Sequence, residues 1–191
     1  MRTSLLAFAA AATLAAAGAH AQSASYAIDP SHTYATFEIS HFGASTNRGR
    51  WDKKQGTVQL DKAGKSGKVE LTIDVASINT GAAAFDKHLR GADFFDVEKY
   101  PTATFTADKF SFNGDKVTEV AGTLTLLGKT NPVVLKATNF NCYQSPMLKR
   151  EVCGGDFETT IDRTAYGMNY GIQWGFPKDV RVVIQVEAIK Q

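Results

Sequence analysis

Side chains able to do chemistry are few in this chain and fall in a handful of places. The stretch DPSH, Asp29 to His32, holds the residue types of a hydrolase triad within four positions. Neighbours on an extended segment point in opposite directions, which does not align a nucleophile with its base, so these residues are not read as a triad. KHLRGADFFDVEKYPTATF, residues 87 to 105, gathers one histidine, one arginine, acids and aromatics. His88 with Asp93 or Asp96 has the types for an acid–base pair, yet nothing beside them supplies a recognisable nucleophile or metal set. His41 and Arg163 each extend an alternating apolar run, His41 on the side of Phe37 and Ile39, Arg163 on the 157–161 face. If those faces are interior, each polar group needs a partner from protein, water or a ligand head group.

Other chemistry has no foothold. The sequence contains no H-E-x-x-H, no G-x-S-x-G and no Gly-rich phosphate loop. Catalytic and metal-ligating residues are therefore expected to be none. The chain has 191 residues, enough for one domain with a sizeable core.

Its first stretch, MRTSLLAFAAAATLAAAGAHA, has a basic Arg2, an apolar run and a small-x-small ending at Ala19-His20-Ala21. That pattern predicts a secretory signal peptide over residues 1–21, cut between Ala21 and Gln22, and a mature domain over 22–191 in the periplasm. Loss of Arg2 leaves 20 basic against 19 acidic side chains. So balanced a surface, with basic spots at 48–54 and 62–68 read as solvated turns, argues against a nucleic-acid partner. Cys142 and Cys153 lie close in sequence in an exported chain, which points to a disulfide contributing about 3 kcal/mol.

The elements that must position these residues are mostly strands. In VELTIDV, Val69, Leu71, Ile73 and Val75 share one face and Glu70, Thr72 and Asp74 the other. The same period of two recurs at 35–39, 58–60, 103–107, 122–126, 133–137, 157–161 and 180–188, predicting about eight half-buried strands. Gly, Asn and Asp separate many of them, as hairpins require. Eight such strands close into a barrel or stack as a sandwich, and periodicity alone does not choose. The inward set is mostly small, with Phe37, Phe105 and Phe157 as exceptions, which favours a barrel with an open apolar interior. AAAFDKHLRG predicts one short helix, with Asp86 and Arg90 at i, i+4 and Gly91 at its end. Followed by Phe94 and Phe95, it suits a lid between strands, its charges a clasp.

Three stretches, HLRGADFFDVEKYPTATF, TLTLLGKTNPVVLKA at 123–137 and YAIDPSHTYATFEISHFG, together resemble the YceI-like, polyisoprenoid-binding family of exported bacterial proteins. The resemblance runs over about residues 26 to 189. It implies an all-β fold, an extended antiparallel eight-stranded barrel of lipocalin-like shape whose apolar tunnel takes a polyprenyl lipid or quinone tail. Family members are regarded as lipid carriers or stress-related periplasmic proteins without established catalytic residues. Thr33 stands where many members have Ser, Ala165 replaces an acid often seen there, and the two-cysteine loop marks a branch.

The expectation is thus a periplasmic carrier with no cofactor beyond a non-covalent isoprenoid lipid or quinone, meeting a membrane transiently for loading. Phe37, Ile39, Leu71, Ile73, Phe105, Leu124 and Leu126 are expected to line the tunnel. Phe94, Phe95, Trp174 and Phe176 are placed near a mouth, with His41 and Arg163 as head-group contacts. The alternatives are a periplasmic hydrolase or isomerase using His41 or His88, and a stress-related protein acting through a surface partner.

Overall fold

A computed structural model describes residues 23–191. The expected leader and the Ala21/Gln22 cleavage point lie outside the described residues. Eleven strands follow in order: β1 (Ala24–Ile28), β2 (Tyr34–His41), β3 (Ser45–Trp51), β4 (Lys54–Asp61), β5 (Ser66–Asp74), β6 (Ile78–Asn79), β7 (Thr102–Asn113), β8 (Lys116–Leu126), β9 (Lys129–Gln144), β10 (Glu151–Asp162) and β11 (Asp179–Lys190), with helix α1 (Ala83–Arg90) between β6 and β7.

Antiparallel pairing runs β1-β4-β5-β7-β8-β9-β10-β11, and β11 returns to β1, closing a ring of eight. Closure leaves no exposed edge within the ring. One half of β11, residues 188–190, pairs with β1, while residues 181–185 pair with β2, which continues the sheet through β3 to β6. So β1 and β2 are two halves of one strand position, as are β3 and β4, and β5 and β6. The barrel is correspondingly long: β10 and β11, 12 residues each, span ~40 Å at ~3.4 Å per residue, or a height of ~30 Å at ~40° of tilt.

The eight antiparallel positions and the single α-helix agree with the sequence expectation. Three short strands, β1, β3 and β6, lie outside it, and the basic stretch 48–54 is not a solvated turn but the end of β3 and the start of β4. β3 carries no apolar alternation because its inward positions are Asn47, Gly49 and Trp51. Gly49 faces Phe37 across the ladder.

Two apolar clusters fill the length of the barrel. The upper one centres on Tyr26, Leu60, Phe105, Val120, Phe140 and Phe157. The lower one centres on Phe37, Val75, Ile78, Leu89, Phe95 and Met168. Each large apolar side chain so buried contributes ~1.5–3 kcal/mol. The upper end is stitched across its turns. Glu151 accepts from the Tyr26 hydroxyl at 2.6 Å and from Lys62 at 2.8 Å, and Lys65 reaches Gly114 O and Asp115. The Cys142–Cys153 disulfide joins directly opposed residues of β9 and β10 near the same end.

Helix α1 covers the lower half beside β6. Asp86 and Arg90 do not pair with each other as their spacing suggested. Asp86 accepts from Thr80 N and Oγ1, both at 2.7 Å, tying the helix to the preceding loop. Arg90 donates to Ala76 O and Ile78 O at 2.8 and 2.9 Å. The clasp exists, but it grips backbone carbonyls rather than acids. Backbone acceptors are what the break between β5 and β6 leaves to be satisfied.

A two-chambered apolar tunnel

Two cavities lie end to end inside the barrel. The upper, about 180 Å³, is walled by inward residues of the ring, among them Leu71, Ile73, Phe105, Leu124 and Leu126. The lower, about 210 Å³, is walled by Phe37, Ile39, His41, Phe94, Arg163 and Phe176 among others, including Phe85 and Leu89 from α1. Trp51, Phe95, Leu126, Ile161 and Val182 belong to both walls, so the chambers meet at a neck. The period-two pattern explains the walls: each strand sends alternate side chains inward, and small ones leave space.

Ten of the eleven residues named from sequence as lipid contacts stand on these walls. Trp174 does not. It is 55% exposed and lies on the outer side of Tyr170, ring centroids 5.3 Å apart. Its place in a three-residue 3-10 turn between Gly171 and Gly175, both at positive φ, turns the indole outward. Tyr170 takes the wall position instead.

His41 and His88 both face the lower chamber. His41 packs edge-on to Phe42 and Phe176, and His88 to Phe94 and Tyr170, at centroid distances of 4.9 to 5.4 Å. His88 makes no hydrogen bond to Asp93 or Asp96 among the described residues. The surroundings of both rings are aromatic.

Arg163 is only 3% exposed and is the knot of the 163–178 connection. Its Nε donates to Pro177 O and its Nη1 to Met168 O and Tyr170 O, all at 2.9 Å. Burial lowers its pKa, opposed by the neighbouring Asp162 carboxylate. Carbonyl oxygens carry most of the compensation for its charge, and Nη2 makes no hydrogen bond to another described residue. Asp162 caps the same connection by accepting from Thr164 N and Oγ1 at 2.9 and 2.6 Å and from Lys178 at 3.0 Å, which together hold its carboxyl at about 2.

The DPSH residues do converge, contrary to the extended reading, because Asp29 to His32 form a turn. Ser31 Oγ donates to Asp29 Oδ1 at 2.6 Å and His32 Nδ1 lies 2.8 Å from Asp29 Oδ2 and 3.1 Å from Ser31 Oγ. A triad needs the acid on one imidazole nitrogen and the hydroxyl on the other. Here both meet Nδ1, and the serine proton goes to the acid. The cluster is a turn lock on the outside of the barrel. Burial works to raise the Asp29 pKa, but hydrogen bonds from Ser31 and His32 outweigh it and hold the group at about 2.

Sequence reasoning missed Trp51, which stands in the polar stretch RGRWDKK. Its ring sits between Phe37, 5.7 Å away, and Phe95, 5.6 Å away. Its indole nitrogen is the one buried side-chain polar atom among the described residues with no hydrogen-bond partner.

The chain has clear counterparts among known proteins. The family description "YceI-like domain" matches residues 26–188. The chain belongs to the YceI-like family. A UPF0312 protein of Pseudomonas aeruginosa is 34% identical over 194 residues, covering 100% of each chain. Among solved structures, the YceI protein of Campylobacter jejuni is 28% identical with a TM-score of 0.68, covering 80% of this chain and 90% of its own. A polyisoprenoid-binding domain from Saccharophagus degradans, implicated in plant cell wall breakdown, shares the fold at 19% identity with a TM-score of 0.60, over 87% and 98% of the two chains. The YceI-like chain thus has the barrel that the three sequence stretches implied.

Proposed function

We propose that this YceI-like protein is a periplasmic carrier that holds an isoprenoid or similar long-chain lipid, a polyprenyl or quinone tail, without covalent chemistry. The observation that carries this reading is the pair of apolar chambers lying end to end along the barrel, with five wall residues in common. Burial of a hydrocarbon chain gains ~0.8 kcal/mol per CH₂, so such a tunnel binds a long tail with few polar contacts. The structural neighbour named as a polyisoprenoid-binding domain supports the same class of guest. The tail lies in the upper chamber, below the ion-paired turns, and the head group in the lower chamber near His41 and the free Nη2 of Arg163.

Loading is by the lower end. Phe42, at 58% exposure, occupies the left-handed region at the β2–β3 tip and packs 4.6 Å from Phe176 of the lower wall, as the exposed Trp174 does 5.3 Å from Tyr170, so exposed aromatic side chains back the lower chamber. Apolar and amphipathic aromatic side chains of this kind suit transient contact with a lipid surface. The apolar leader-like stretch and the disulfide support export to an oxidising compartment. His41 and His88 are bordered by aromatic rings rather than by acids or nucleophiles, so binding is favoured over hydrolysis or isomerisation.

Native mass spectrometry of protein purified from the periplasm tests the reading. The expected result is a co-purifying lipid of isoprenoid mass. Ligand-free protein that also rejects polyprenols in titration would overturn it.

A further inference from the structure

We propose that the β9–β10 turn, at the upper end of the barrel, is a docking tip for an anionic phospholipid bilayer. Met147 and Leu148 enter the interface, and Lys149 and Arg150 meet the lipid phosphates. The site goes beyond the carrier reading and does not depend on what fills the tunnel.

The turn is presented on a braced support. β9 has its last β8 partner at Lys136, so the stretch up to Gln144 is paired with β10 alone. The Cys142–Cys153 disulfide ties that stretch across the ladder. Ser145 then closes the turn: its N–H donates to Arg150 O at 2.9 Å, its carbonyl accepts from Lys149 N at 3.0 Å and its Oγ accepts from Leu148 N at 3.2 Å. A backbone fixed in this way has little freedom left to lose on docking.

What the turn presents is apolar and cationic. At 89% exposure Met147 is the most exposed large apolar side chain among the described residues, and Leu148 beside it is 49% exposed. Lys149 and Arg150 are exposed and form no ion pair among the described residues. The next acid in the chain, Glu151, is already shared by Tyr26, Lys62 and Lys190. Lys149 moreover has φ 54°, in the left-handed region where glycine is the cheaper residue. The turn alone gives no reason for a lysine there, whereas its free charge does.

A protein partner suits this tip poorly. Two apolar side chains at a turn bury far less than the ~1,200 Å² at which specific protein–protein interfaces begin. A bilayer needs no shaped counterpart: apolar side chains enter the boundary of acyl chains and head groups, while adjacent cations stay with the phosphates. Unpaired positive charge then selects an anionic surface. The exposed aromatic side chains behind the lower chamber lie at the opposite end of the barrel, so one bilayer engages one end at a time.

The test uses the mature protein, methyl-labelled at methionine, with vesicles of dioleoylphosphatidylcholine alone or mixed with dioleoylphosphatidylglycerol. Co-sedimentation should favour the anionic vesicles and weaken as salt rises. Lys149→Gly/Arg150→Gln should lower that affinity about thirtyfold without lowering the Tm, because glycine suits the left-handed position. Beyond Met1 in the expected leader, the methionines are Met147 and the buried Met168. A nitroxide placed high on the lipid chains should broaden the Met147 methyl signal and leave that of Met168 sharp. The methyl measurement needs no substitution, so it decides even if the variant fails to fold. Equal binding to both vesicles, unchanged affinity in the variant, or a Met147 signal that stays sharp in vesicle-bound protein would each overturn the assignment. The carrier reading would stand or fall separately, on its own mass-spectrometric test.

Discussion

Phe37 and Gly49 face each other across the β2–β3 ladder, and a Cβ on Gly49 would lie 2.5 Å from the Phe37 ring and 2.8 Å from Thr80 Cγ2. The glycine is the space in which a wall residue of the lower chamber sits. Gly49→Ala is therefore expected to push the ring off its position, at a cost of ~1–3 kcal/mol. Urea denaturation measures the loss, and Phe37→Leu in the same background should recover part of it. Full stability in Gly49→Ala would mean the ring is not confined there.

Arg163 holds the connection that closes the lower end. Arg163→Leu leaves the carbonyls of Met168, Tyr170 and Pro177 without their donor, a loss of ~3 kcal/mol or more if all three stay buried. Amide hydrogen exchange should rise over residues 163–178 and stay unchanged over β8 and β9. Arg163→Lys should rescue little, because one ammonium cannot reproduce the planar fork that reaches three oxygens. An exchange pattern like that of the wild type would show the connection is held by something else.

Acid stability follows from Asp162. Its native pKa of about 2 lies below the ordinary value of 3.8, first through Thr164 and then through Lys178. A depressed carboxyl pKa stabilises the fold above the unfolded-state value, and that contribution disappears as the pH falls through the native one. Between about pH 4 and pH 2 the wild-type Tm should therefore drop more steeply than that of Asp162→Asn, which has lost the contribution at every pH. Parallel Tm curves for the two proteins over that window would remove Asp162 from the account.

Seven of the eight ring strands, all but β1, and also β2 were legible because their inward positions are mostly hydrocarbon and their outward ones polar, as in residues 69–75. β3 was not, since its inward residues are set by what they must avoid or hold: Gly49 makes room for Phe37, and Trp51 forms the neck. The tunnel walls were legible on the same grounds as the strands. Arg163 could be recognised as a polar group on an interior face, but its partners are backbone carbonyls brought near by three positive-φ glycines, Gly167, Gly171 and Gly175. No pattern of side chains announces such a knot. Likewise the DPSH residues meet only because the chain turns there. Alternation is a statement about faces, whereas turn geometry decides which neighbours touch.

The cross-strand disulfide belongs to the upper end, where Cys153 also borders the upper chamber. Cys142→Ala/Cys153→Ala should lose ~2–4 kcal/mol in urea unfolding, with wild-type protein under reductant showing the same loss. An undiminished midpoint would mean that the ladder of β9 and β10 holds this end unaided.

If the neck separates a tail chamber from a head-group chamber, narrowing the upper chamber just above it should act on chain length. Ala103 on β7 is a small residue of the upper wall, opposite Ile73 of β5. Ala103→Leu sends a larger apolar chain into space already open, so the fold should tolerate it better than a substitution into a filled core. Titration with prenols of increasing length should then give an altered profile. Short prenols that fit the lower chamber should bind as to wild type, while longer ones should gain nothing from each added unit, because the hydrocarbon that would enter the upper chamber stays in water. An affinity that keeps rising with chain length in Ala103→Leu, as in the wild type, would mean that tails do not pass the neck.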